Sequence, residues 1–134
     1  MTEYKTLIEA AARAKDKAYA PYSGFRVGAA LLSQDGQIFT GCNVENVSFS
    51  ATNCAERTAF FKAVSEGITE FSAIAVISDR EAYISPCGVC RQVMVEFCKP
   101  DFQILMCGAS GGFKQMSLAE LMPEMFDKQS LDCL

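Results

Sequence analysis

Two short stretches bring together residue types that could do chemistry: Thr52-Asn53-Cys54-Ala55-Glu56-Arg57 and Ser85-Pro86-Cys87-Gly88-Val89-Cys90-Arg91-Gln92. With a helix beginning at about Pro86, Cys87 and Cys90 share one face of its first turn and can grip a single ion. Cys54 supplies a third thiolate. Thiolates are soft ligands and zinc accepts tetrahedral geometry without a redox penalty, so zinc is the expected occupant, one ion per chain. Three protein ligands leave a fourth position open to water, which separates catalytic from structural zinc. The chain contains no histidine, which excludes Ser-His and Cys-His nucleophilic chemistry. Acid–base work then falls to a carboxylate, and Glu56 stands two residues after Cys54.

Each half of this constellation is weak alone. Cys87-Gly88-Val89-Cys90 also fits a thioredoxin-like redox pair or half of a structural zinc knot. A structural site needs a fourth thiolate, for which Cys42 is the spare. Charge counting adds a requirement: zinc with three thiolates is net negative, which makes a bound water harder to ionise, so a cation should compensate. Arg57, three residues after Cys54, and Arg91, directly after Cys90, are placed to hydrogen-bond thiolates; the other reading makes them surface arginines in solvated first turns.

The elements that must position these residues fit one domain, residues 1–134. Half of the 134 residues are hydrophobic and 21% are charged, enough for one buried core and too few for two. Met1-Thr2-Glu3-Tyr4-Lys5 opens without a signal-type apolar core and no stretch has the length of a membrane span, so a cytosolic protein with no membrane partner is expected. Reduced thiols follow, with Cys42, Cys98, Cys107 and Cys133 read as ordinary buried or surface cysteines. A net charge of −4 and the lack of a basic cluster argue against a nucleic-acid partner.

In order, Leu7, Ile8, Ala11, Ala12 and Ala18 give a helix over 2–20 an apolar face, with Pro21 ending it. Strands over 25–33 and 38–42 flank Asp35-Gly36, a two-residue hairpin signal. Thr52 or Asn53 N-caps a helix running to Glu66 and stopped by Gly67. Residues 72–78 form a strand covered on both faces, followed by the Cys87 helix, which ends before Lys99-Pro100. A buried strand over 102–107, an edge strand over 113–116 and a short capped helix from Ser117 to Pro123 complete the chain. The fold class is therefore α/β: a mixed sheet of about five strands with helices packed on both faces. Both cysteine stretches then start helices at a sheet edge, where N–H groups and partial positive charge favour thiolates.

Cys54-Ala55-Glu56 with Pro86-Cys87-Gly88-Val89-Cys90 matches the three-cysteine form of the zinc deaminase signature. Together with Ala20-Pro21-Tyr22-Ser23-x-Phe25-x-Val27-Gly28-Ala29-Ala30-Leu31, Gly41-Cys42-Asn43-Val44-Glu45-Asn46 and Cys54-Ala55-Glu56-Arg57-Thr58-Ala59, nearly the whole chain resembles the short, homotetrameric cytidine deaminases. The resemblance implies hydrolytic deamination of cytidine and deoxycytidine in pyrimidine salvage, with Glu56 as proton shuttle and Arg57 beside a thiolate. Asn43 and Glu45, two apart near a strand end, can both meet sugar hydroxyls; in the family the matching residues hold the ribose. The resemblance sets Phe25 against the pyrimidine, although from the residue alone a core role is as good, and it assigns backbone groups of Ala55 and Ser85 to the base. Phe126 matches the family's phenylalanine that reaches a neighbouring subunit's site. Phe49 stands where many relatives carry tyrosine, which leaves its role open. A carboxylate at Glu45 disfavours phosphate and so favours a nucleoside over a nucleotide. Another aminopyrimidine, a nucleotide, or a non-catalytic zinc module are the remaining readings.

Overall fold

Apolar residues of the central strands alternate between two sides, and that alternation sets the architecture. In the computed structural model, which describes residues 2–132, five strands form one sheet in the order β2-β1-β3-β4-β5. They are β1 (Val27–Ser33), β2 (Ile38–Cys42), β3 (Phe71–Ser78), β4 (Gln103–Cys107) and β5 (Phe113–Ser117). Ala29, Leu31, Ile74, Val76, Ile104 and Met106 face α2 (Ala55–Ser65) and α3 (Gly88–Phe97). Their neighbours Ala30, Leu32, Ala73, Ala75, Ile77 and Leu105 face α1 (Thr2–Lys15) on the other side. The expected mixed five-stranded sheet with helices on both faces is thus present, with β3 and β4 parallel and the other pairs antiparallel.

The topology decides where the cysteines go. β2 and β3 both pair antiparallel with β1, so they run in the same direction and end at the same sheet edge. The chain leaving β2 leads to Cys54 and the chain leaving β3 leads to Cys87. Phe60 of α2 is fully buried, its ring 5.2 Å from that of Phe71 and 6.1 Å from that of Phe102. Met94 of α3 is equally buried. Buried anchors of this kind contribute about 2–5 kcal/mol against truncation to alanine, which fixes both helices on the sheet. α2 also sits unusually close to β2, since a Cβ at Gly41 would fall 2.5 Å from Ala55 O and 2.5 Å from Ala59 N.

Several boundaries differ from expectation, each for a long-range reason. α1 stops at Lys15 rather than Ala20, because Tyr19 N–H donates to Asn43 O at 2.9 Å and Tyr19 O accepts from Glu45 N at 2.8 Å. β1 begins at Val27, not Phe25. The hairpin has a three-residue loop, Gln34 to Gly36, closed by Ser33 N–H to Gln37 O at 2.9 Å; Gly36 takes φ +91°, the left-handed position such loops require. Asn53 exchanges two 2.9 Å backbone bonds with Val44, so the N-cap of α2 falls on Cys54 and not on Thr52 or Asn53. Ser117 forms the expected capping box with Glu120, opening α4 (Leu118–Leu121). A further helix, α5 (Lys128–Asp132), was not anticipated. Among the remaining cysteines, Cys107 is buried on the α1 side and burial pushes its thiol up to about 11. Cys98 is held well above the ordinary thiol range by burial, and Cys133 lies outside the described residues.

Candidate metal centre and active site

Cys54 and Cys87 are the N-cap residues of α2 and α3, both in extended backbone geometry, and Cys90 closes the first turn of α3. Each N-cap carbonyl accepts the first helical bond, from Thr58 N at 3.0 Å and from Arg91 N at 2.9 Å. Neither N-cap sulfur makes a capping bond, so both stay available at helix starts where partial positive charge gathers. Their Sγ atoms all lie within 4.8 Å of one another, with Cys54 and Cys87 at 3.8 Å. Among the described residues no fourth Cys, Asp or Glu joins this group. Cys42, the spare cysteine, instead points to the turn that follows α1, its Sγ 3.5 Å from Lys17 O.

The donor set fits a dication. Cys54 is drawn down to about 5, chiefly by its hydrogen bond from Cys90 and further by Arg57, whereas Cys90 is raised by that same pairing and by burial. A zinc ion held by Cys54, Cys87 and Cys90 would draw each coordinating thiol to its ionised form. Arg57 Nη2 donates to Cys54 Sγ at 3.3 Å, while its buried Nε has no partner, so the guanidinium is held here for the sulfurs.

Glu56, the second residue of α2, is 5% exposed. Burial, aided by the nearby Cys54 charge, pushes its carboxyl up to about 7. A carboxyl that titrates near neutrality can take and return protons at comparable cost, as a general acid–base group must. Ala55 is fully buried directly before it. Ser85 is exposed and its Oγ accepts from Arg91 Nη2 at 2.6 Å. Arg91 was expected to serve a thiolate, but its guanidinium goes elsewhere: Nε donates to Pro86 O at 2.9 Å and Nη1 to Leu121 O at 3.0 Å. It ties the Ser85-Pro86 approach and α4 to the start of α3.

Asn43 and Glu45, expected to meet the sugar, lie just after the end of β2. Asn43 is buried, its Oδ1 accepting from Val27 N at 2.9 Å and its Nδ2 donating to Phe25 O at 2.8 Å. Glu45 does not share this direction. It accepts from Tyr22 N at 3.0 Å, from Ser23 N at 3.1 Å and from the Ser23 hydroxyl. The Ser23 bond, the strongest of these influences, holds the Glu45 carboxyl below its usual range. Glu45 lines a cleft of about 350 Å³ with Tyr22, Ser23, Asn46, Phe49 and Thr52. Phe25 is half-buried against the α2–α3 core, with the Arg80 guanidinium 4.7 Å from its ring centroid. Phe126 is 60% exposed and Phe49 82%.

Two residues that matter here carried no local signal strong enough to single them out. Gly41 was visible only as a glycine inside a strand, which marks a close backbone approach. Ser23 looked like an ordinary loop serine.

Residues 1–106 match the family model described as the cytidine and deoxycytidylate deaminase zinc-binding region. A cytidine deaminase from Sporosarcina psychrophila is 49% identical over 129 residues, covering 96% of this chain and 95% of that protein. One from Halalkalibacterium halodurans is 46% identical over 126 residues, covering 94% and 96%. The crystal structure of cytidine deaminase from Burkholderia pseudomallei superposes with a TM-score of 0.88 at 50% identity, covering 92% of this chain and 98% of that one.

Proposed function

The chain belongs to the zinc-binding cytidine and deoxycytidylate deaminase family, and from that premise we propose that it converts cytidine and deoxycytidine to uridine and deoxyuridine with release of ammonia. The observation that carries the reading is a buried carboxyl with its pKa near 7, Glu56, beside three clustered thiols at two helix starts. Cys54, Cys87 and Cys90 would hold the zinc, which when bound supplies Lewis acidity and makes water ionisable near neutral pH. Glu56 takes a proton from the attacking water and gives it to ring N3, then takes the second proton from the new C4 hydroxyl and passes it to the departing amino group. The C4–O bond forms, the C4–N bond breaks and ammonia leaves. Arg57 offsets the negative charge of the sulfur cluster throughout.

Phe25 packs on the pyrimidine and backbone groups of Ala55 and Ser85 fix its polar edge. Asn43 and Glu45 take the sugar. Each atom of the Asn43 amide is used once, leaving one donor and one acceptor position, and the Glu45 carboxylate accepts three bonds out of about four it can take. Its charge in the cleft disfavours a phosphate, so the free nucleoside is preferred over deoxycytidylate. We place the activity in cytoplasmic pyrimidine salvage, carried out by residues 1–134 as one catalytic domain. The exposed Phe49 and Phe126 support assembly into a homotetramer in which Phe126 completes a neighbour's site.

Loss of cytidine's ultraviolet absorbance on incubation, with zinc measured on the same sample, tests the function. No change with cytidine beside turnover of another aminopyrimidine or of deoxycytidylate would move the substrate assignment. A fully active monomer in solution would exclude the shared site.

A further inference from the structure

We propose that Ser23 is a positioning residue that couples the sugar side of the nucleoside site to its base side, an inference that rests on the roles given above to Glu45 and Phe25. The Ser23 hydroxyl donates to Glu45 Oε2 and accepts the Phe25 N–H at 2.9 Å. These directions are forced, because a backbone N–H can only donate and an ionised carboxylate can only accept. A single oxygen thus joins the carboxylate expected to meet the sugar to the backbone of the ring expected to meet the base.

The coupling is braced on both sides. Tyr22 and Ser23 N–H groups close on Glu45 Oε1 at 3.0 and 3.1 Å. Asn43 Nδ2 holds Phe25 O at 2.8 Å, and the Arg80 cation lies 4.7 Å from the centre of the Phe25 ring. Glu45 is 22 residues from Ser23 in the chain, so these bonds are tertiary contacts and extend beyond the local turn Ser23 makes with Phe25. Removing the hydroxyl frees a carboxylate rotamer at one end and leaves a backbone donor unpaired at the other. Fixing both before substrate arrives lowers the ordering cost of binding.

The test is steady-state cytidine deamination by the zinc-loaded chain and its Ser23→Ala, Ser23→Thr, Glu45→Gln and double Ser23→Ala/Glu45→Gln variants, with zinc content and melting temperature measured for each. Loss of a hydrogen bond to a charged group predicts a KM about tenfold higher for Ser23→Ala with kcat within about threefold. Ser23→Thr, which keeps the hydroxyl, should stay near the parent, and in the double variant the two KM penalties should fall short of their product. A parent-like KM in zinc-replete Ser23→Ala, equal losses for Ala and Thr, or fully multiplicative penalties would overturn the coupling. Ser23→Cys, of similar size but a weaker donor, replaces Ser23→Ala if that variant does not fold, and a parent-like KM there overturns it equally. Absence of turnover in the parent chain overturns the function itself and the coupling with it, an outcome distinct from a parent that turns cytidine over while Ser23→Ala matches it.

Discussion

An alanine Cβ at Gly41 would lie 2.5 Å from the carbonyl oxygen of Ala55, so β2 and the first turn of α2 meet backbone to backbone. That turn carries Cys54 as its cap and Glu56 as its second residue. Ala59 N lies equally close at 2.5 Å, and since both contacted atoms are backbone, Gly41→Ala must lift the helix start. Overpacking of this kind costs about 1–3 kcal/mol. The expected outcome is a lower melting temperature together with weakened zinc retention under chelator challenge, because Cys54 moves relative to Cys87 and Cys90. Unchanged zinc affinity in a destabilised Gly41→Ala variant would show that the contact supports the fold alone.

Arg57 is the one cation bonded to a site sulfur among the described residues, through Nη2 to Cys54 at 3.3 Å. Arg57→Gln keeps a donor and removes the charge. Residues that support metal ligands in this way typically contribute about 10–100-fold to metal affinity or activity. A drop of that size is expected in either zinc affinity or cytidine turnover, measured by chelator competition and by absorbance. Arg91→Gln should act differently, loosening the Ser85-Pro86 approach and α4 through lost bonds to Pro86 and Leu121.

How far the sequence could be read depended on whether an interaction is local. Cys87 and Cys90 are three apart and Cys54 and Glu56 two apart, so their chemistry was visible as spacing, and the strand pattern that brings them to one edge was visible as periodicity. The end of α1 was not, because Tyr19 spends its backbone on Asn43 and Glu45. The direction of Arg91 depended on the placement of Leu121, 30 residues away. Asn43 and Glu45 share parity along the chain, yet their partners lie in separate segments: Phe25 and Val27 for one, Tyr22 and Ser23 for the other. No spacing rule encodes those choices.

Asp79 gives the fold a pH dependence with a definite sign. Its carboxylate receives Arg26 Nε at 3.0 Å, Arg26 Nη2 at 3.1 Å and Lys15 Nζ at 3.2 Å. The Arg26 bond above all holds its pKa below the ordinary value. A lowered folded pKa means the unfolded chain binds the proton first as pH falls. The stabilisation is therefore complete above the unfolded value of about 4 and disappears as pH drops through the lower folded value. Urea unfolding at pH 7, 4 and 3 should show Asp79→Asn losing stability less steeply with acid than the parent. Parallel slopes in the two proteins would show that Asp79 is not a linked group.

Glu56 provides the sharpest separation of catalyst from ligand. Its carboxyl is buried, raised to about 7 and absent from the group of sulfurs that lie within 4.8 Å of one another. Glu56→Gln keeps the size of the side chain, the three thiols and the pocket, but leaves nothing to take a proton from water or return one to the leaving amine. General acid–base groups contribute about 10²–10⁴-fold, and a residue that serves several transfers in one turnover belongs at the upper end. Because a raised carboxyl pKa opposes folding as pH rises above the ordinary carboxylate value, the amide should leave the melting temperature at pH 7 at or above that of the parent. Zinc content, melting temperature and cytidine turnover measured on one preparation decide the matter. Full zinc, parent-like stability and turnover reduced by the upper part of that range identify the proton shuttle. A fall in zinc and stability together would make Glu56 a fourth ligand, and turnover at half the parent rate with full zinc would remove it from the chemistry.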